Sequence, residues 1–466
     1  MFVWKGMRAM FSKVGKVIFD SEVVAKTSDF NMGLEIEQHR VDEQGYLSQE
    51  PYPATIGDGA KNPWLTKDFL EAMSESVTPA AATALDALHY LYRINNSLRS
   101  ALAPGELLWP LSMPPKLPAD KSTIQLAKTT PEKDAYLKEW AKRRNFSSGT
   151  PCGVHINLSL NPRVVDIVYN NLRGQFANRM QAQTYLYTII AQGFVRYRWF
   201  LTYLFGASPV AEENFFEKNQ GPTKPVRSLR QSHYGFGTHF SGDYSSVQAY
   251  VDRIEQGAKE GKLISDYEFH GSVRFKGGSS LKKMAAEGVD YIELRMLDLD
   301  PSSSVGVRSD TLRFVRLLAS YFVMTPALKP ADVNEVVARA DKMNEEVSLE
   351  EPEAVSKYQV LARAFMKRLE IFANKLQLGP EYQEVLQDLE DRIENPSTTP
   401  SARLLKHLKD GSLVPYALER AQRYQDAALQ SLKVFAGFDS EQILSATELS
   451  QQLFEPDVKA TLAKTK

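Results

Sequence analysis

Three short stretches of this sequence alternate between apolar and polar residues. An alternation of period two fits a β-strand, because successive side chains of a strand fall on opposite faces. In MGLEIEQHRV, residues 32–41, Met32, Leu34 and Ile36 alternate with Gly33, Glu35 and Glu37. In CGVHINLSL, Val154, Ile156, Leu158 and Leu160 alternate with His155, Asn157 and Ser159. In VDYIELRMLDLDP, Ile292, Leu294 and Met296 oppose Glu293 and Arg295. Strands of this kind belong to an antiparallel sheet with one face packed against helices and the other open to a cavity.

The polar faces carry an unusual choice of residues. Strands that merely face water mix Lys, Thr, Ser and Gln, whereas these bring Glu, Glu, His, Asn, Glu and Arg, the residue types of a metal and phosphate site. Two carboxylates on one strand face repel each other unless a cation sits between them. A fourth segment, WLTKDFLEAMSESVTP, adds Asp68 and Glu75. They share a face if the segment is helical throughout, the alternative being a passage from helix to strand near Ser74. Gathered together, Glu35, Glu37, Asp68, Glu75, His155 and Glu293 form a set of anions too costly to bury unpaired. Divalent cations relieve that cost, and oxygen-rich ligation selects Mg²⁺ or Mn²⁺, which in turn suggests a nucleoside triphosphate. Arg295, and Arg230 in SLRQSHYGFG, suit phosphoryl oxygens through their forked guanidinium groups.

Composition narrows the field. The chain has 466 residues, long enough to enclose a deep site, and 56 Lys plus Arg against 57 Asp plus Glu give a net charge of -1. Without a basic excess, nucleic acid is not an expected partner. The one cysteine, Cys152, excludes an internal disulfide framework and fits a reducing compartment, so the expected location is cytoplasmic. In MFVWKGMRAMFSKVGKVIFDSE, Lys5, Arg8, Lys13 and Lys16 interrupt every apolar run, which predicts a docked terminal segment rather than a signal peptide. TYLYTIIAQGFVRYRWFLTYLFG is broken by Gln192, Arg196 and Arg198 and reads as a buried aromatic helix, so no membrane span is expected. FKGGSS reads as a turn, and no Walker A pattern occurs. Cys152 precedes His155 by three positions, and strand geometry sends the two side chains apart, against a thiol nucleophile and its base. From about Ala331 long charged helices follow, separated by GPE and NPSTTPSA. The expected organisation is an α+β catalytic body over residues 1–330 and a mostly helical C-terminal third over residues 331–466.

Taken in order, GLEIEQHRV, WLTKDFLEAMSESVTP, LLWPLSMP, GVHINLSL, YLFGASP, YIELRMLDLDP and GVRSDTLRF resemble the bacterial glutamate-cysteine ligase family across roughly residues 30–320. The resemblance implies a glutamine-synthetase-like antiparallel sheet whose concave face binds two or three Mg²⁺ ions, ATP and glutamate. It implies that Glu35, Glu37, Asp68, Glu75, His155 and Glu293 are the metal ligands, and that Arg230 and Arg295 are the catalytic, phosphate-contacting arginines. It also implies a substrate pocket involving Phe69, Tyr136, Phe236 and His270. The family pattern has Tyr-Arg where this chain has Tyr136-Leu137, which leaves Lys138 as the substitute cation. The implied reaction is ATP-dependent ligation of the γ-carboxylate of glutamate to the amine of cysteine through a γ-glutamyl phosphate, the first step of glutathione biosynthesis. A different amine acceptor, or a non-catalytic paralogue that binds amino acid or nucleotide, are the alternatives. The implied partners are glutamate, cysteine and ATP, with no nucleic acid, no membrane and no fused glutathione synthetase domain.

Overall fold

A computed structural model of the protein describes residues 10–21, 30–235, 240–430, 434–438 and 442–454. The three alternating stretches are strands of one antiparallel sheet. In chain order the strands are β1 (Phe30–Val41), β2 (Leu65–Lys67), β3 (Met73–Val77), β4 (Leu107–Leu108), β5 (Val154–Leu160), β6 (Val273–Lys276) and β7 (Tyr291–Leu297). Across the sheet the order is β2-β3-β1-β5-β7-β6, and β4 pairs with the far end of β1. All three alternating strands, β1, β5 and β7, therefore lie inside the sheet.

The apolar sides of the strands form the floor of the core. Met32, Leu34, Ile36, Val154, Ile156, Leu158, Ile292, Leu294 and Met296 are all buried, each contributing roughly 1.5–3 kcal/mol relative to an exposed side chain. The helix Ala84–Ala101 packs on β1 and β3, while Arg179–Arg196 and Arg198–Phe205 pack on β7. The last two come from the aromatic stretch, which is buried as expected but broken at Tyr197. Gly193 permits the close approach of Phe322 from the helix Ser309–Met324, since a β-carbon there would stand 2.2 Å from the ring. No helix among the described residues is long and apolar enough to cross a membrane.

The segment carrying Asp68 and Glu75 is a hairpin rather than a helix. Its SESV run pairs with β1 on one side and β2 on the other, and the Asp68 amide donates to the Met73 carbonyl across the turn. Pairing on both edges decides the matter, because a helix would leave the strand edges of β1 unsatisfied. Near the amino terminus, the helix Lys13–Asp20 docks on the end of Ser309–Met324, where the Ser12 amide donates to the Met324 carbonyl. Beyond residue 331 the described residues are mostly helical, with Val333–Ser348 on the aromatic pair and Gln359–Lys375 and Pro380–Glu394 on Ser309–Met324. The breakers sit where they should, Gly379 capping the start of one helix with Pro380 in its first turn.

Candidate active site

Strand register assembles the polar face. Glu37 lies opposite Glu75, Glu35 opposite His155, and Glu293 opposite both Asn157 and Arg274. Between Val154 and Ile156 the pairing of β5 with β7 shifts by one residue, a bulge of the kind that re-aims side chains beside active sites. Arg295 Nη1 there comes within 3.3 Å of His155 Nδ1.

His155 is the centre of the cluster. Its Nδ1 lies 3.5 Å from Glu35 Oε2 and 3.6 Å from Glu293 Oε1, and its Nε2 lies 3.6 Å from Glu37 Oε1. Two groups result, Glu35 with His155 and Glu293, and Glu37 with Glu75 and His155, the ligand atoms of each lying within 4.8 Å of one another. The outer carboxylate oxygens are held by neighbours: Asn157 Nδ2 donates to Glu35 Oε1 at 2.7 Å, and the Gly153 amide donates to Glu37 Oε2 at 2.7 Å. Glu293 pairs with Arg295 and, at 2.8 Å, with Lys276 Nζ.

The electrostatics are those of a site with too much negative charge. Burial, reinforced by Glu35, Asp68 and Glu37, pushes the Glu75 carboxyl well above the usual carboxylate range. Burial also raises Glu37, against the pull of His155. Glu293 is as buried, yet Arg295, Arg274 and Lys276 outweigh that and hold it well below the usual range. His155 Nε2 is buried and has no hydrogen-bond partner among the described residues. Paired acid groups around an unsatisfied imidazole nitrogen are a donor set that could hold divalent cations, so five of the six residues expected from the sequence, Glu35, Glu37, Glu75, His155 and Glu293, fit a metal centre.

Asp68 stands at the edge of this cluster, with Lys133 Nζ 3.2 Å from its Oδ1. Lys133 comes from the helix Pro131–Arg143, which Thr130 caps and Pro131 opens. The same helix face brings Tyr136 and Trp140 to a cavity of about 190 Å³ beside the carboxylates, together with Phe69, Gly149 and His270. Phe69 and Trp140 meet edge to face at 5.0 Å, and Tyr136 lies 5.8 Å from Tyr267 across the cleft. Burial, with Arg274 and Arg295 nearby, keeps the His270 imidazole well below its ordinary pKa. Arg230 lies deeper, its Nη1 donating to the Leu297 carbonyl at 3.0 Å and the Arg295 carbonyl at 3.2 Å.

Not every expected residue is here. Lys138 is exposed, and the cation that its helix sends to the cluster is Lys133. Phe236 lies outside the described residues. Cys152 is fully buried, and burial, with Glu37 next in effect, pushes its thiol well above the ordinary value, which leaves it no nucleophile. Lys133, Lys276 and Arg274 were missed by the sequence reading. The TPEKD helix start and the Arg274–Lys276 alternation of VRFK, which runs into the expected turn at FKGGSS, were the available signals.

A sequence profile of the Glutamate-cysteine ligase family matches residues 16–263 and 241–345. The chain belongs to the glutamate-cysteine ligase family. Within it, the chain is 33% identical over 440 residues to a glutathione biosynthesis bifunctional protein GshAB of Lactiplantibacillus plantarum, covering 94% of this chain and 57% of that protein. The corresponding protein of Enterococcus faecalis is 32% identical over 433 residues, covering 91% of this chain and 55% of its own length. The crystal structure of a bifunctional glutathione synthetase from Pasteurella multocida superimposes with a TM-score of 0.83 at 26% identity, over 93% of this chain and 60% of that one. A glutamate-cysteine ligase from Francisella tularensis, solved with AMP, shares the fold with a TM-score of 0.79 at 20% identity, over 92% of this chain and 98% of that one. The antiparallel sheet packed by helices is thus the family fold. The expectation that no fused glutathione synthetase domain accompanies this chain is corrected by these relatives. The curated relatives are bifunctional GshAB proteins, and the chain spans little more than half their length.

Proposed function

We propose that this chain ligates the γ-carboxylate of L-glutamate to the amine of L-cysteine, using ATP and Mg²⁺ and passing through a γ-glutamyl phosphate, as the first step of glutathione biosynthesis. The observation that carries the reading is the convergence of Glu35, Glu37, Glu75 and Glu293 on one histidine, with Arg295 3.3 Å from that ring.

Glu35, Glu37, Asp68, Glu75, His155 and Glu293 would hold the Mg²⁺ ions. Bound there, Mg²⁺ supplies charge neutralisation for two anionic reactants and alignment of the transferring phosphoryl group. The protein's own part is positional. Arg295, with Glu293 fixing its guanidinium, faces the cluster where negative charge builds on the phosphoryl oxygens. Arg230 straps the end of β7 through two carbonyls and so sets where Arg295 stands. The γ-carboxylate oxygen attacks the terminal phosphorus and ADP departs. The amine then attacks the acyl carbon, phosphate leaves and the amine loses a proton. No step needs a protein nucleophile, in keeping with the inert Cys152. The aromatic cavity of Phe69, Tyr136 and Trp140 suits the short side chain of the acceptor.

The test is phosphate release from ATP with glutamate, screened across amines with the product identified by mass. γ-Glutamylcysteine as the main product is the expected outcome. Brisk release with another amine and none with cysteine would move the reading to that acceptor.

A further inference from the structure

We infer that Lys133 anchors the α-carboxylate of the amine acceptor, an inference that rests on the ligase reading above. An amino-acid acceptor carries its carboxylate on the same carbon as its amine, so the carboxylate must come to rest beside the reacting atoms. The cavity there already presents Glu37, Asp68 and Glu75, and a further anion needs a cation to receive it.

Among the described residues three Lys and Arg side chains line the cavity, and two are committed. Arg295 is paired with Glu293 and faces the cluster. Arg274 donates Nε to the Phe269 carbonyl at 2.7 Å and Nη2 to the Tyr267 carbonyl at 3.1 Å, and its Nη1 stands 4.0 Å from Glu293. Lys133 differs. Its ammonium carries three donor hydrogens on a flexible stem, with contacts to Asp68 at 3.2 Å and to the Lys67 carbonyl at 3.5 Å, and its side chain is 31% exposed. It can keep Asp68 and take a second carboxylate.

Its place on the helix completes the argument. Lys133, Tyr136 and Trp140 follow one another at helical spacing, so ammonium, phenol and indole share one face. An acceptor with its carboxylate on Lys133 has its side chain along that aromatic wall. The acceptor class is therefore a small α-amino acid with an uncharged side chain, not a simple amine.

The experiment compares cysteine with cysteamine, which lacks the carboxylate, in the full chain with ATP, Mg²⁺ and glutamate. Lys133→Met should lower the cysteine-to-cysteamine ratio of kcat/KM about ten- to a hundredfold, the range for one charged hydrogen bond, mainly through the KM for cysteine. Lys133→Arg should restore much of the ratio. Calorimetric binding of cysteine should weaken in Lys133→Met, with that of cysteamine unchanged. If Lys133 only holds Asp68, both acceptors lose equally, the ratio stands and the inference is overturned. A rise confined to the KM for glutamate overturns it too, by placing Lys133 against the other substrate. A wild-type chain without glutamate-dependent ADP release defeats the ligase reading itself, whereas an unchanged ratio with turnover intact defeats only the anchor. Should Lys133→Met not fold, Lys133→Gln gives the same comparison.

Discussion

A β-carbon on Gly153 would stand 1.8 Å from Nη2 of Arg230. The guanidinium lies against a bare backbone position whose amide also holds Glu37 Oε2, so one glycine couples the arginine to a carboxylate of the cluster. Gly153→Ala must displace one of them. The expected cost is about 1–3 kcal/mol in stability, as for other overpacked sites, with a fall in kcat far larger than a loss of that size explains. Thermal melts beside steady-state kinetics check this. A variant with normal kcat would make Arg230 dispensable to the chemistry.

Glu35 and Glu293 sit in one donor group yet should respond differently to loss of charge. Glu35→Gln keeps an acceptor for Asn157 and should unfold like the wild type. Glu293→Gln strips Lys276 and Arg295 of a buried partner and should cost about 3–5 kcal/mol. Both should lower Mg²⁺-dependent turnover by about a hundredfold or more, since even outer partners of metal ligands are worth about ten- to a hundredfold. Urea titrations and Mg²⁺ dependence separate the two effects. Equal stability of the two variants would contradict the ion-pair account of Glu293.

The raised Glu75 carboxyl predicts a pH dependence with a definite sign. Because its folded-state pKa lies above the unfolded one, its contribution to stability is full below the unfolded value and is lost as pH rises through the folded value. Glu75→Gln resembles the protonated form at every pH. In EDTA the variant should therefore be more stable than the wild type, by a margin that is smallest at pH 5 and largest at pH 8. Saturating Mg²⁺ should reverse the order, since it stabilises the ionised wild type. Melts at the two pH values, with and without the metal, read this directly, and a wild type more stable than the variant at pH 8 in EDTA would refute it.

Trp140 sets the size of the aromatic cavity. Its indole packs over Gly149, where a β-carbon would come within 2.8 Å of both Trp140 and Phe69. Trp140→Leu should let norvaline gain on cysteine by about one to two orders of magnitude in kcat/KM, the scale of a changed pocket contact. Gly149→Ala should raise the KM of every acceptor. Unchanged acceptor ratios in both variants would place the acceptor side chain elsewhere.

Period-two alternation was enough to put the polar residues of each strand on one face. Glu35 and Glu37 must share a face of any strand, as must Glu293 and Arg295, whatever the rest of the chain does, and the opposite faces had to be core because they are apolar. The signature motifs carried the family just as directly. What alternation could not supply is the order of strands. Nothing local says that β1 runs between β3 and β5, and only that pairing sets Glu37 against Glu75 and Glu35 against His155. Asp68 shows the same limit, since WLTKDFLEAMSESV has no local reason to prefer hairpin over helix until β1 offers an unpaired edge. Lys133 and Lys138 lie on one short helix, and which of them meets Asp68 depends on the rotation at which that helix docks. That rotation is chosen by the burial of Leu137 and Trp140, the indole packed edge to face on Phe69, which is distant in the chain. Strand faces are local geometry and belong to the sequence; register, docking angle and the choice of one cation over another are decided by contacts that exist only once the chain has folded.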